Sequence, residues 1–157
     1  MSQQISTKPK APNLATNFAG ALILSLISYN FVALSFINIF PHLEKSIINE
    51  VKELSNGWSL IIPLLFAPIF ETSILVFCIH IAKQIFKGKK ALIFSAFPIC
   101  ILHGVDDWQL PFIVFAPFFL QVVVHEKLRP HYGKYSCMLF LAILHSSYNL
   151  IAVFANR

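Results

Sequence analysis

From Ala11 to Leu43 the chain carries no Asp, Glu, Lys or Arg. Few folds are open to an uncharged run of that length. Within it, Asn17 to Phe40 is long enough to cross a hydrocarbon core of about 30 Å, which takes about 20 helical residues. A backbone in lipid must satisfy its own hydrogen bonds, so such a segment is expected to be a helix. The block is longer than the apolar part of a signal peptide and lacks a convincing cleavage site, so it reads as a retained span. Composition extends the argument to the whole chain. Apolar residues make up 57% of the 157, charged residues 12%, and sixteen are Phe. A soluble domain of this size has about 25% charged residues. Half of that leaves too little polar surface to face water on every side, so lipid must be part of the solvent.

The remaining apolar blocks suggest an all-α, polytopic transmembrane helical bundle of about five spans. They run from Asn17 to Phe40, Trp58 to about Ile85, Ala91 to about Gly104, Leu110 to Val124 and Cys137 to Phe154. The third and fourth are near the lower length limit, where re-entrant or distorted segments occur. Residues 1–13 read as a disordered cytoplasmic tail and 14–157 as one transmembrane domain. The charged connector from Pro41 to Gly57 is expected at the membrane surface. With the N-terminus in the cytoplasm, nine Lys and Arg fall inside (Lys8, Lys10, Lys83, Lys87, Lys89, Lys90, Lys127, Arg129, Lys134) and three outside (Lys45, Lys52, Arg157). That asymmetry supports an N-in, C-out orientation. The same placement, between apolar blocks rather than along one stripe, argues against nucleic acid as the partner of a chain of net charge +5. Cys78, Cys100 and Cys137 form no CxxC pair and read as core or lipid-facing residues. Small size and spare loops suggest a bacterial cytoplasmic membrane.

Ionisable side chains deep in a span are costly and mark functional candidates. Glu71, His103 and His145 are such residues, and Asn149 follows His145 by four positions, on the same helical face. Measured from Lys83, Lys90 and Lys134, the first three lie about 18, 20 and 17 Å from the cytoplasmic end, and Asn149 about 22 Å. Residues from three helices therefore fall in one layer near the midplane. The bland alternative is a buried Glu–His bond that only fixes helix packing. His42, His80, His125, His131 and Gln121 lie in connectors or nearer the interface and read as interfacial or packing residues. Asn17, Asn30 and Asn38 read as helix–helix hydrogen bonders. Pro63 and Pro68 precede Glu71, and Pro98 precedes His103; each removes a helical hydrogen bond and can widen a helix pair.

These residues resemble the motifs of the CAAX-protease and bacteriocin-processing-enzyme (CPBP, Abi) family of intramembrane glutamic endopeptidases. Ala67-Pro68-Ile69-Phe70-Glu71 resembles the approach to the family's Glu-Glu-x-x-x-Arg motif. Ser95 to His103 resembles its Phe-x-x-x-His motif, and His145-Ser-Ser-Tyr-Asn149 its His-x-x-x-Asn motif. The similarity covers about residues 58–154. Thr72 stands where a second Glu would be, Val76 where the Arg would be, and Ile99 where the Phe would be. The resemblance implies hydrolysis of membrane-associated or prenylated peptides, with Glu71 and His103 activating a water and His145 and Asn149 holding the oxyanion. It implies no cofactor.

Two His and one Glu could instead hold Zn²⁺ with an open fourth position, although no HExxH spacing is present. With Thr72 and Val76 at the first motif, a catalytically degenerate member acting as a membrane peptide-binding or bacteriocin-immunity protein is the main alternative. A small transporter using a midplane Glu and His as a proton relay is a third class, but internal repeats are absent.

Overall fold

An apolar run without charge satisfies its backbone in lipid as helix, and helix is the only regular structure among the described residues. The computed structural model describes residue 11 and residues 13–39, 60–105 and 108–155. The polar tail at 1–10 and the connector at 41–57 lie outside them. Helix α1 (Leu14–Ile39) has 26 residues, about 39 Å of helix. It starts where the Asn13 side chain accepts a hydrogen bond from the Thr16 amide at 3.3 Å, occupying one of the free N–H groups of the first turn. Helix α2 opens with a wide π turn, Ile62–Phe66, and continues through Ala67–Ile85. Helix α3 (Lys89–His103) is short, at 15 residues or about 22 Å. Helix α4 (Leu110–Ala155) has 46 residues and is interrupted at one of them, Gly133.

That interruption makes α4 a hairpin. Gly133 has φ 78° and ψ 171°, a region essentially closed to residues with a Cβ. On either side of it, positions at matching distances meet. The rings of Phe118 and His145 are 5.4 Å apart, and Val124 and Phe140 pack on one cluster with Leu141 and Leu144. The break expected between Val124 and Cys137 narrows to one position: helix continues through the charged residues and turns at Gly133. Lys127 and Arg129 are exposed while Leu128 between them is buried, so the charged stretch has one solvated and one packed face, which a helix accommodates.

Of the three packing centres among the described residues, the smallest joins Ala33 of α1 to Ile113 of the first α4 arm, and two larger ones hold the rest of the bundle. Leu75 and Ile79 of α2, Ala96, Ile99 and Cys100 of α3, and Phe118 and Val122 of the first α4 arm form one. Ala21 of α1 with Leu141 and Leu144 of the second arm forms the other. Along this second seam Phe18 meets Phe140, with rings 5.6 Å apart, and Tyr29 meets Tyr148 at 5.4 Å. Both partners rise together in number, so α1 runs parallel to the second arm. Asn17 and Asn30, expected to bond between helices, instead donate to the carbonyls of Asn13 and Leu26 one turn back in their own chain.

Three helical segments are long and apolar enough to cross a membrane: Leu14–Ser35, Ile62–Ile85 and Leu110–Ile151. Outside the packed seams, Phe31, Phe70, Phe77, Ile101 and Leu139 are each more than 60% exposed. Apolar surface of this extent is a membrane or partner surface, and with the three long helices it marks a membrane protein. The free thiols Cys100 and Cys137 are buried and Cys78 is partly so.

Candidate functional site

The centre of the site follows from two prolines. In the π turn the Ala67 amide donates to the Ile62 carbonyl, five residues back. The next donor in that register would be residue 68, which is Pro and has no N–H. The Pro63 carbonyl is thus left without a helical partner. Asn149, from the second arm of α4, fills the gap: its Nδ2 donates to Pro63 O at 2.8 Å. This bond ties the start of α2 to α4 about two turns before Glu71.

His103 is the last residue of α3, and Gly104 caps the helix with its amide on the Ile101 carbonyl. A Cβ at position 104 would lie 2.6 Å from Cγ of Pro111, so only glycine lets α3 end this close to the start of α4. His145 comes from the second α4 arm. Between the two histidines stands Phe118, whose ring is 5.5 Å from that of His103 and 5.4 Å from that of His145.

These constraints bring Glu71, His103 and His145 together from three helices. Nε2 of each histidine lies 3.5 Å from the same carboxylate oxygen, Oε2 of Glu71. That separation suits an ion pair but is long for a good hydrogen bond, and Oε2 has no hydrogen-bond partner. His145 is nearly sealed, at 8% side-chain exposure, while Glu71 and His103 keep 18% and 32%. All three, with Asn149, line a cavity of about 310 Å³. The carboxylate can take a proton and either imidazole can give or take one, so the arrangement can hold and polarise a small polar molecule such as water.

Thr72 and Val76, at the positions where the resemblance would place a Glu and an Arg, are buried and do not line the cavity. Oγ1 of Thr72 is sealed without a partner. Among the described residues no group of three or more His, Cys, Asp or Glu side chains is arranged to hold a metal ion.

Several neighbours were not legible as site residues. Tyr29 of α1, with Phe118, Gln121 and Tyr148 of α4, also lines the cavity. Phe118 is one of sixteen Phe and nothing in the sequence separates it from the rest. Gln121 and His125, read as interfacial or packing residues, are 4% and 1% exposed and pack inside the bundle. His80, by contrast, is exposed and contacts Gln84 at 3.0 Å.

Compared with models of protein families, with curated proteins and with solved structures, the chain matches none.

Proposed function

We propose that this chain is an intramembrane endopeptidase of the CAAX-protease type, with five spans and the N-terminus in the cytoplasm. The observation that carries the reading is the convergence of two imidazoles, from separate helices, on one carboxylate oxygen at the wall of a cavity. A pair that only fixed packing would need one histidine and no cavity. The count of five is supported by the parallel run of α1 and the second α4 arm, which five alternating spans require of the first and the last, and the orientation by the nine Lys and Arg against three.

In this reading a water in the cavity loses a proton to Glu71, assisted by His103, and its oxygen attacks the scissile carbonyl carbon. The carbonyl oxygen becomes an oxyanion that accepts hydrogen bonds from His145 and from Asn149. Asn149 Nδ2 carries two hydrogens; one serves Pro63 and the other is left for the oxyanion. When the C–N bond breaks, the proton taken from water passes to the leaving amine. Each oxyanion donor contributes roughly 3 kcal/mol of transition-state stabilisation in a dry site. No cofactor takes part. Substrates are membrane-associated or prenylated peptides, and the membrane is the bacterial cytoplasmic one.

Wild type and Glu71→Ala, purified in detergent and equally folded, are to be compared on a panel of prenylated and unmodified peptides. Loss of a general base lowers the rate by about 10²–10⁴, so cleavage is expected from wild type alone. Equal cleavage by both would remove Glu71 from the mechanism. A second reading, a degenerate member that binds a membrane peptide or confers bacteriocin immunity, is favoured by the burial of Thr72 and Val76 away from the cavity. Peptide binding without cleavage by either protein would select it.

A further inference from the structure

His125 is a buried titratable side chain that the proposed mechanism does not use. Its residue is 1% exposed, although Lys127 and Arg129 nearby on the same arm are open to solvent. One edge of the ring is accounted for: Nδ1 lies 3.3 Å from Oε1 of Glu126. The other oxygen of Glu126, Oε2, is paired with Lys83 of α2, whose side chain is 40% exposed at the end of the bundle. The opposite edge of the ring, Nε2, is buried with no partner. Lys83 and Arg129 are the cations close enough to act on this ring, and Glu126 the anion.

Four residues before His125 on the same helical face is Gln121. Its Oε1 is likewise buried without a partner, and its side chain lines the cavity that holds Glu71, His103 and His145. Two unpaired polar groups in consecutive turns of one apolar helix are unfavourable as packing, and buried polar atoms of this kind are normally bridged by internal water. They lie on one face of the arm between the cavity, which Gln121 lines, and the Lys83–Glu126 pair, whose side chains are 40% and 21% exposed. The rise from Gln121 to Glu126 is about 7.5 Å of helix, short enough for one water and one imidazole to bridge.

We propose that Gln121, His125 and Glu126 form a proton relay joining the Glu71 cavity to the aqueous edge of the bundle at Lys83. Neutral His125 keeps its hydrogen on Nδ1, donated to the Glu126 carboxylate, and leaves the Nε2 lone pair free. A proton released in the cavity passes through a water held by the Gln121 amide to Nε2. The Nδ1 proton moves to Glu126 and on to solvent beside Lys83. One proton enters and one leaves; the ring ends as the other neutral tautomer and resets by a flip of the ring that returns its N–H to the Glu126 side. Imidazole is suited to this because its two nitrogens can exchange roles near neutral pH. The relay serves whatever chemistry the cavity hosts and does not require that it be peptide hydrolysis.

The test uses full-length protein in nanodiscs with ¹⁵N-labelled histidine. Solvent exchange of the ring N–H protons of His103 and His145 is followed by NMR. Relative to wild type, His125→Leu and Gln121→Leu are expected to slow exchange about tenfold, the effect of about 1.4 kcal/mol of added barrier. His80→Leu, at an exposed site, leaves it unchanged. Unchanged exchange in either folded relay variant would overturn the relay. A wild-type measurement guards against misfolded variants. In oriented vesicles, a pH jump on the Lys83 side is expected to reach the cavity histidines before one on the opposite side, and equal or later arrival would also overturn it. Neither readout involves cleavage, so a chain that relays protons but cuts no peptide would lose only the protease reading.

Discussion

Residue 72 shows how far a single side chain is governed by where its helix points it. Its neighbour Glu71 reaches the cavity, whereas Thr72, about 100° around the helix, is wholly buried with its hydroxyl unpaired. A carboxylate there would be sealed in the protein rather than paired with Glu71 beside the histidines, so position 72 has no access to the cavity. A sealed hydroxyl without a partner costs about 1–3 kcal/mol. Thr72→Val keeps the shape and removes that cost. It is expected to raise the thermal unfolding midpoint in detergent, and to leave any cleavage within about twofold of wild type, well under the change that 1.4 kcal/mol of barrier produces. A large loss of activity with unchanged folding would assign the hydroxyl a part in the reaction.

At the scale of elements, the π turn and the second arm of α4 are coupled through one hydrogen bond. Asn149→Ala leaves the Pro63 carbonyl unpaired and is expected to cost about 1–3 kcal/mol. Pro68→Ala restores a backbone N–H at position 68, which can donate to that carbonyl without help from Asn149. The two substitutions should therefore couple by roughly 0.5–3 kcal/mol in a double-mutant cycle read from unfolding in detergent; additive costs would mean that the Asn149–Pro63 bond contributes nothing. The approach of α3 to α4 offers a second test. Gly104→Ala forces a Cβ to within 2.6 Å of the Pro111 ring, where little can yield. Overpacking of this kind costs about 1–3 kcal/mol. Because His103 directly precedes the clash, any cleavage activity should fall more steeply than stability, a difference measured by comparing turnover with unfolding midpoints for the same preparation.

For the whole molecule, the proposed orientation makes a topological prediction. Reporter fusions or single accessible cysteines, in a background lacking Cys78, Cys100 and Cys137, should place the α2–α3 turn near Gly88 and the α4 turn near Gly133 on the same side as the N-terminus. The segment around Trp108 should label from the opposite side. Labelling of Gly88 and Trp108 positions from one side would make α3 a re-entrant element, for which its length of 15 residues, about 22 Å, would then be the cause. A bundle with an apolar exterior buries its polar groups along the seams between helices. Glu71, Gln121 and His125 all follow that rule, although only the first stood out from its position in the sequence.

The amino acids alone told the class of the molecule, a helical membrane protein, and that Glu71, His103 and His145 share one level, where they meet at a single carboxylate oxygen. Length without charge dictates helix in lipid, and helical rise converts spacing from the nearest lysine into height, so Glu71, His103 and His145 could be placed in one layer without any structure. Rotation about each helix axis was not determined in that way. A span surrounded by apolar residues on every face gives little directional signal, and the partners on neighbouring helices decide which side turns inward. Packing therefore decided that His125 is buried, that Thr72 misses the cavity and that Phe118 stands between two histidines. It also decided that Asn149 answers a carbonyl 86 positions away, freed because Pro68 has no hydrogen to give.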